Sequence, residues 1–201
     1  MFCRRLIQLQ KAVLLLAMAA VMLVGTSIAL SSTTAAAATA ASGSNGVWPG
    51  VGKICEPGSG GASTVRGVTS KTINIAVFND AANTVDPGLE AEFPEQATAF
   101  ADWCNAAGGI NGRKIVIDNR DAALFNAAQV TTAACQSDFM SVGGGMALDQ
   151  PSVPIRVACG LGQITGYLAS NAADLGALQV DPEGTNTDAV SAGWFGVLAK
   201  A

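Results

Sequence analysis

Residues 104–118 read CNAAGGINGRKIVID and hold the end of a helix, a glycine turn and a strand. Upstream, the apolar residues at positions 93, 97, 100, 101 and 104 share one helical face. Gly108 and Gly109 end that pattern, and residues 113–118 form a short apolar run typical of a buried strand. The stretch therefore predicts a helix-to-strand connection, which is the repeating unit of a parallel sheet.

The same alternation continues on both sides of this stretch. Strands are predicted at 72–78, 113–118, 139–142 and 155–159, and helices at 93–104 and 124–135. Strands that alternate with helices imply βαβ units. The predicted fold is therefore α/β: a three-layer (αβα), Rossmann-like parallel sheet.

Residues 1–41 have the features of a signal peptide. Arg4, Arg5 and Lys11 precede an apolar run at 12–30, and small residues follow it. An uncleaved membrane anchor is the alternative, because a run of about 19 residues could span a bilayer. Export predicts an extracytoplasmic protein, either secreted or held at the cell surface.

The rest of the chain divides into three segments. Residues 42–66, rich in Gly, Ser and Pro, are predicted to form an extended leader that Trp48 and Cys55 pin to the body of the protein. Residues 67–167 are predicted to form the α/β lobe, and residues 168–201 an irregular tail.

Four cysteines follow the signal, at positions 55, 104, 135 and 159. An even count in an exported chain predicts two disulfides, and four cysteines allow three pairings that spacing alone does not separate. Cys104 and Cys135 fall near the ends of predicted helices, and a Cys104–Cys135 bridge would join neighbouring helices on one face of the sheet. Cys55 would then pair with Cys159. A metal site is disfavoured, since the chain has no C-x-x-C pair and no histidine.

Composition excludes several function classes. Without histidine, mechanisms that use a Ser-His-Asp or Cys-His arrangement are impossible. A net charge of -4 argues against nucleic-acid binding. The glycines at 160–166 do not fit a dinucleotide-binding loop, because the third glycine is one residue late. No pair of carboxylates is singled out by spacing, so we expect neither an enzyme nor a bound cofactor.

The loops that follow the predicted strands are the candidate site, because ligands of such sheets bind beyond the carboxyl ends of the strands. Three such loops are predicted, at 79–86, 143–150 and 160–167. The Gly143–Gly145 run has two interpretations. It is either a tight turn or a set of backbone N–H groups accessible to a small anion such as a carboxylate.

Residues 67–76 (GVTSKTINIA), 105–115 (NAAGGINGRKI) and 142–145 (VGGG) give the sequence a resemblance to a known family. The chain resembles the N-terminal lobe of type I periplasmic binding proteins, in particular the branched-chain amino-acid (Leu/Ile/Val) binding proteins of ABC importers. The cysteines at 104 and 135 resemble an actinobacterial variant. The likeness covers roughly 100 residues and implies that the hinge and second lobe are missing, as in a truncated chain.

The resemblance also implies a mechanism and a set of ligand contacts. Two lobes close on a solute, and the closed form docks on a membrane permease. The implied solute is a branched-chain amino acid or an amide. Backbone N–H groups and the Thr165 hydroxyl would meet the carboxylate of the amino acid. The implied ligand-binding residues are Asn79, Asp80, Gly144, Gly145, Met146, Gln163, Ile164 and Thr165.

Two other functions are compatible with this sequence. One is a secreted or surface interaction module, a non-binding remnant that kept a single lobe for stability. The other is an amide-sensing regulator of the same fold, which is disfavoured because no DNA-binding feature is present.

Overall fold

The computed structural model describes residues 46–182 of the protein. The predicted signal peptide at 1–41 and the last part of the predicted tail, 183–201, lie outside the described residues. The strands are β1 Val47–Trp48, β2 Gly52–Lys53, β3 Thr72–Asn79, β4 Lys114–Asp121, β5 Met140–Val142, β6 Gly162–Ile164 and β7 Gln179–Val180. The helices are α1 Glu92–Ala106, α2 Ala127–Ser137, α3 Ser152–Cys159 and α4 Asn171–Asp174.

Strands β3 to β7 form a parallel sheet of five strands in the order β4-β3-β5-β6-β7. β3 lies beside β4 on one side and β5 on the other, with Ile75 opposite both Ile117 and Met140. The chain runs from β3 to one neighbour and then returns to the other, so the winding direction reverses between β3 and β5. This reversal confirms the predicted α/β fold and places a topological switch point beside β3.

Helices cover both faces of the sheet. Successive strand residues point to opposite faces, so each face has its own set of packing partners. On one face, α1 residues Ala101 and Cys104 pack with Ile115 and Ile75. On the other face, Phe78 packs with alanines of α2, with Leu161 and with the cysteines of α2 and α3. The three layers predicted from the sequence are therefore present.

The strand predicted at 155–159 is wrong: these residues belong to helix α3. A short apolar run does not distinguish a strand from a buried helix by periodicity. Gly160, at φ 68, ends the helix in the left-handed conformation, and the strand follows as β6. Gly160 is therefore a helix-ending glycine and not the first glycine of a ligand-binding loop.

The described part of the tail is ordered by a buried arginine. Arg156 of α3 is 1% exposed and donates to the carbonyls of Ala177 and Leu178 at 2.9 and 3.1 Å. Its Nη2 also donates to Oε1 of Gln179 at 2.9 Å. These bonds hold β7 beside β6. The prediction of an irregular tail is thus wrong for residues 171–174 and 179–180, which form α4 and β7.

The leader is attached to the body as predicted. β1 and β2 form a small antiparallel hairpin. Trp48 packs edge-on against Phe100 and Trp103 of α1, with ring centroids 5.7 Å apart in both pairs. A disulfide joins Cys55 to Cys104, also on α1. The hairpin therefore lies against the outer side of α1.

The predicted pairing of cysteines is wrong, although two disulfides form. The bridges are Cys55–Cys104 and Cys135–Cys159, with Cα–Cα distances of 5.3 and 5.9 Å. The predicted Cys104–Cys135 bridge is impossible because α1 and α2 cover opposite faces of the sheet. Cys159 reaches Cys135 because α3 is a helix that packs beside α2 on the same face.

Candidate functional site

The candidate site lies where β3, β5 and β6 end, next to the switch point. Three loops meet there: residues 80–91 after β3, 143–151 after β5 and 165–170 after β6. All the residues that the sequence singled out for ligand binding lie in these loops or at the strand ends that precede them.

Asp80 connects two of the neighbouring loops from a fully buried position. Its Oδ1 accepts a hydrogen bond from the backbone N–H of Leu124, and its Oδ2 accepts one from Ala147, both at 2.7 Å. Asn79 is also buried, and its side-chain amide donates to Oδ1 of Asn119. Both predicted residues therefore set the geometry of the rim from inside the protein.

The glycines after β5 permit close packing of this rim. A Cβ on Gly144 would lie 2.3 Å from the carbonyl oxygen of Phe78, and one on Gly145 would lie 2.3 Å from the Tyr167 ring. The N–H of Gly145 donates to the carbonyl of Phe78 at 3.1 Å. Within residues 46–182, no hydrogen bond uses the N–H groups of Gly144 or Met146.

At β6, most of the groups that were predicted to contact a ligand form hydrogen bonds within the protein instead. The N–H of Gln163 donates to the carbonyl of Leu178, just before β7, at 2.9 Å, and that of Thr165 donates to the carbonyl of Val180 in β7 at 3.1 Å. Thr165 is 1% exposed, and its Oγ contacts the carbonyls of Gly144 and Tyr167. Ile164 is 38% exposed. The Thr165 hydroxyl therefore connects the loops after β5 and β6, and its contact with a ligand stays a prediction.

Glu90 and Tyr167 are site residues that the sequence interpretation missed. The Tyr167 hydroxyl donates to Oε1 of Glu90, which is 8% exposed, while Oε2 has no hydrogen-bond partner within residues 46–182. Phe93 stacks on Tyr167 with ring centroids 5.9 Å apart. Most acidic residues in loops are exposed to solvent, and no sequence pattern distinguished Glu90 from them.

The electrostatics of this pair follow from burial. Desolvation raises the pKa of Glu90 to about 7, with Asp80 adding to the rise and the Tyr167 hydrogen bond opposing it. Burial and the Glu90 carboxylate raise the pKa of Tyr167 above its ordinary value. Near neutral pH, Glu90 is therefore poised between its neutral and charged forms, while Tyr167 stays a donor.

Asp149 supplies a second buried carboxylate. It is 6% exposed, and Oδ2 accepts a hydrogen bond from Ala169 at 2.8 Å. Oδ1 has no partner in the described part of the chain. Asp149 is also close enough to Tyr167 to influence its titration. The rim thus holds two buried acceptor oxygens without partners in the described residues, Glu90 Oε2 and Asp149 Oδ1, and both carboxylates act on Tyr167.

Among the described residues, no group of three or more His, Cys, Asp or Glu side chains could hold a metal ion. Nor is any helix of residues 46–182 long and apolar enough to cross a membrane.

Comparison with known proteins finds a partial likeness to a solved structure. No protein-family model matches the sequence, and neither does any curated protein sequence. The fold is similar to part of a solved structure, the branched-chain amino acid transporter substrate binding protein LivJ from Streptococcus pneumoniae, in complex with isoleucine. The identity is 22% and the TM-score 0.48, over 59% of this chain and 35% of that protein. The match therefore spans about a third of the length of LivJ.

Proposed function

We propose that this protein binds a small zwitterionic solute, of the amino-acid class, at the switch-point rim. It would act outside the cytoplasm as a solute-binding component of an importer. The observation that carries the proposal is the set of unsatisfied groups at the rim. Two buried carboxylate oxygens and two backbone N–H groups lack partners in the described residues.

The acceptors suit an ammonium group. A buried acceptor without a partner costs about 1–3 kcal/mol, and a bound cationic donor would recover that cost. Glu90 Oε2 and Asp149 Oδ1 are both unpartnered and both lie near Tyr167. An ammonium between them would also favour the charged form of Glu90, whose pKa burial raises.

The donors suit a carboxylate. Gly144 and Met146 flank the residue that binds the Phe78 carbonyl, and their own N–H groups have no partner within residues 46–182. Successive backbone N–H groups in a glycine loop form concave anion sites. Because Gly145 contacts Tyr167, the donors and acceptors belong to one rim.

The finer identity of the solute and of the partner rests on the sequence resemblance. The run NAAGGINGRKI at 105–115 supports a branched-chain amino acid as the solute and an ABC permease as the partner. We expect binding without chemistry, since the chain has no histidine to activate a nucleophile.

Calorimetric titration with ligands that lack one charged end tests the proposal. Leucine, isoleucine and valine should give saturable heats. Leucinamide, which lacks the carboxylate, and 4-methyl-2-oxopentanoate, which lacks the ammonium group, should bind at least about tenfold more weakly. Absence of heat with all amino acids at millimolar concentration would refute the proposal and favour a non-binding remnant.

A further inference from the structure

The outer edge of β4 carries backbone groups that face away from the sheet. In a strand, the N–H and C=O of one residue point to the same side and alternate from residue to residue. The N–H of Lys114 donates to the carbonyl of Lys71, the residue before β3, and the N–H of Ala122 donates to the carbonyl of Asn79 in β3. The backbone groups of the even-numbered β4 residues therefore face β3. Ile115, Ile117 and Asn119 therefore face the outer edge.

The side chain of Asn105 occupies part of this edge in the manner of a strand. Its Nδ2 donates to the carbonyl of Ile115 at 2.9 Å, and its Oδ1 accepts from the N–H of Ile115 at 2.8 Å. One side-chain amide thus makes the two hydrogen bonds that the backbone of an added strand would make. Asn105 protects only Ile115, because it is a single amide at the end of α1.

Beyond Asn105, an open groove of about 580 Å³ lies between α1 and β4. Its β4 wall is formed by Ile117 and Asn119. Their backbone N–H and C=O groups point away from β3, and β4 is an edge strand of the sheet that residues 46–182 form. The opposite wall consists of α1 and residues next to it, and several of them are small. The remaining lining residues are Ala81, Ala91, Pro94, Glu95, Thr98, Ala99 and Asp102.

The groove carries negative charge on its α1 wall. Glu95 and Asp102 line it, and neither forms an ion pair within residues 46–182. No lysine or arginine lines the groove. A ligand that pairs with both walls therefore needs backbone-like donors and acceptors on one side and a positive charge on the other.

We infer that this groove is a second binding site, which takes an extended peptide segment of another polypeptide carrying a lysine or arginine. The open groups of Ile117 and Asn119 are two residues apart, so they repeat at about 6.6 Å, the repeat of an extended chain. Strand addition to an exposed sheet edge uses this match. The basic side chain reaches Asp102 or Glu95, while the small side chains leave room for the backbone.

A synthetic peptide, acetyl-Thr-Lys-Val-Lys-Thr-amide, provides the test with the disulfide-bonded protein. Fluorescence anisotropy of a labelled copy should show saturable binding. A copy with glutamate in place of both lysines should bind at least about tenfold more weakly, and so should a copy with N-methylated backbone amides. Equal binding of all three peptides, or no binding of the first, would overturn the inference.

Two tryptophan variants locate the site. Ala99→Trp fills the groove and should weaken binding of the lysine peptide at least about tenfold. Gln96→Trp adds the same ring to α1 outside the groove and should leave binding unchanged. Equal loss in both variants would contradict the assignment. Concentration-dependent dimers that Ala99→Trp alone abolishes would show that a second copy occupies the edge, and would overturn the peptide as its ligand.

Discussion

The hydroxyl of Tyr167 donates a hydrogen bond to Oε1 of Glu90, 77 positions earlier in the chain. This bond joins the loop after β3 to the loop after β6 across the end of the sheet. It also leaves Glu90 Oε2 buried and unpartnered within residues 46–182. The pair therefore fixes the shape of the rim and supplies one of its free acceptors.

Replacing the Glu90 carboxylate tests its proposed contact with ammonium. Glu90→Gln keeps the size and an acceptor oxygen but removes the charge. We expect about tenfold weaker binding of leucine by calorimetry, because the ammonium group would then donate to a neutral amide oxygen and no longer to a carboxylate. Asp86→Asn, at an exposed position on the same loop, is the control and should bind as the unmodified protein does. If both variants bind leucine equally well, Glu90 does not contact the ligand.

The pKa values of two carboxyl groups, one buried and one partly buried, predict how stability depends on pH. Burial raises the pKa of Glu90 to about 7 and, together with Asp138, that of Asp118 to about 6, against ordinary values of 4.5 and 3.8. Between about pH 4 and pH 7 the folded protein therefore binds more protons than the unfolded chain. These groups thus lower the free energy of unfolding as pH rises, by a few kcal/mol at most.

Urea unfolding at pH 5 and pH 7.5 measures this effect. The free energy of unfolding should decrease between the two pH values. The contribution of Glu90 is the part of this decrease that is lost in the Glu90→Gln variant. An unchanged difference between the two pH values in the variant would show that Glu90 titrates normally in the folded protein.

The disulfide pairing predicts a distinctive peptide map. Trypsin digestion without reduction should give two disulfide-linked pairs of peptides. One pair is 54–66 with 72–113, and the other is 121–156 with 157–200. By chain entropy alone, removing Cys55–Cys104 should cost about 4 kcal/mol and Cys135–Cys159 about 3 kcal/mol, because they close loops of 49 and 24 residues. A peptide linking Cys104 to Cys135 would contradict the structure.

Asp80 is predicted to act by positioning the rim. Asp80→Asn turns an N–H₂ group toward one of the two backbone N–H donors, those of Leu124 or Ala147. We expect a loss of about 1–3 kcal/mol in the free energy of unfolding, together with weaker leucine binding. Asp86→Asn, on the exposed part of the same loop, should change neither quantity. An unaffected Asp80→Asn variant would show that the two backbone bonds are dispensable.

The sequence predicted the layers of the fold because strong local patterns encode them. The apolar run in β3 and the glycine turn at 108–112 lie as expected. Residues 155–159 could form either a strand or a helix, since five residues are too few to distinguish the periodicity of a strand from that of a helix. The wrong cysteine pairing has a separate cause. It placed the helices that carry Cys104 and Cys135 on the same face of the sheet, whereas α1 and α2 cover opposite faces.

The candidate site was predicted only in part for a different physical reason. The glycine loop after β5 could be predicted from the sequence, because a run of glycines at a strand end indicates a tight turn or a close approach to the backbone. Glu90 and Asp149 became site residues only through burial, which depends on loops that meet from distant parts of the sequence. No local sequence pattern indicates whether a carboxylate in a loop is buried or stays hydrated in the folded protein.

Backbone amide NMR during titration with leucine tests the central claim, that the rim at the switch point binds an amino-acid solute. The account predicts saturable shifts centred on the amides of Gly144, Gly145 and Met146 and on those near Tyr167, with little change along the outer edge of β4. Unchanged amides at the rim at millimolar leucine, or shifts confined to α1 and the β4 edge, would contradict it.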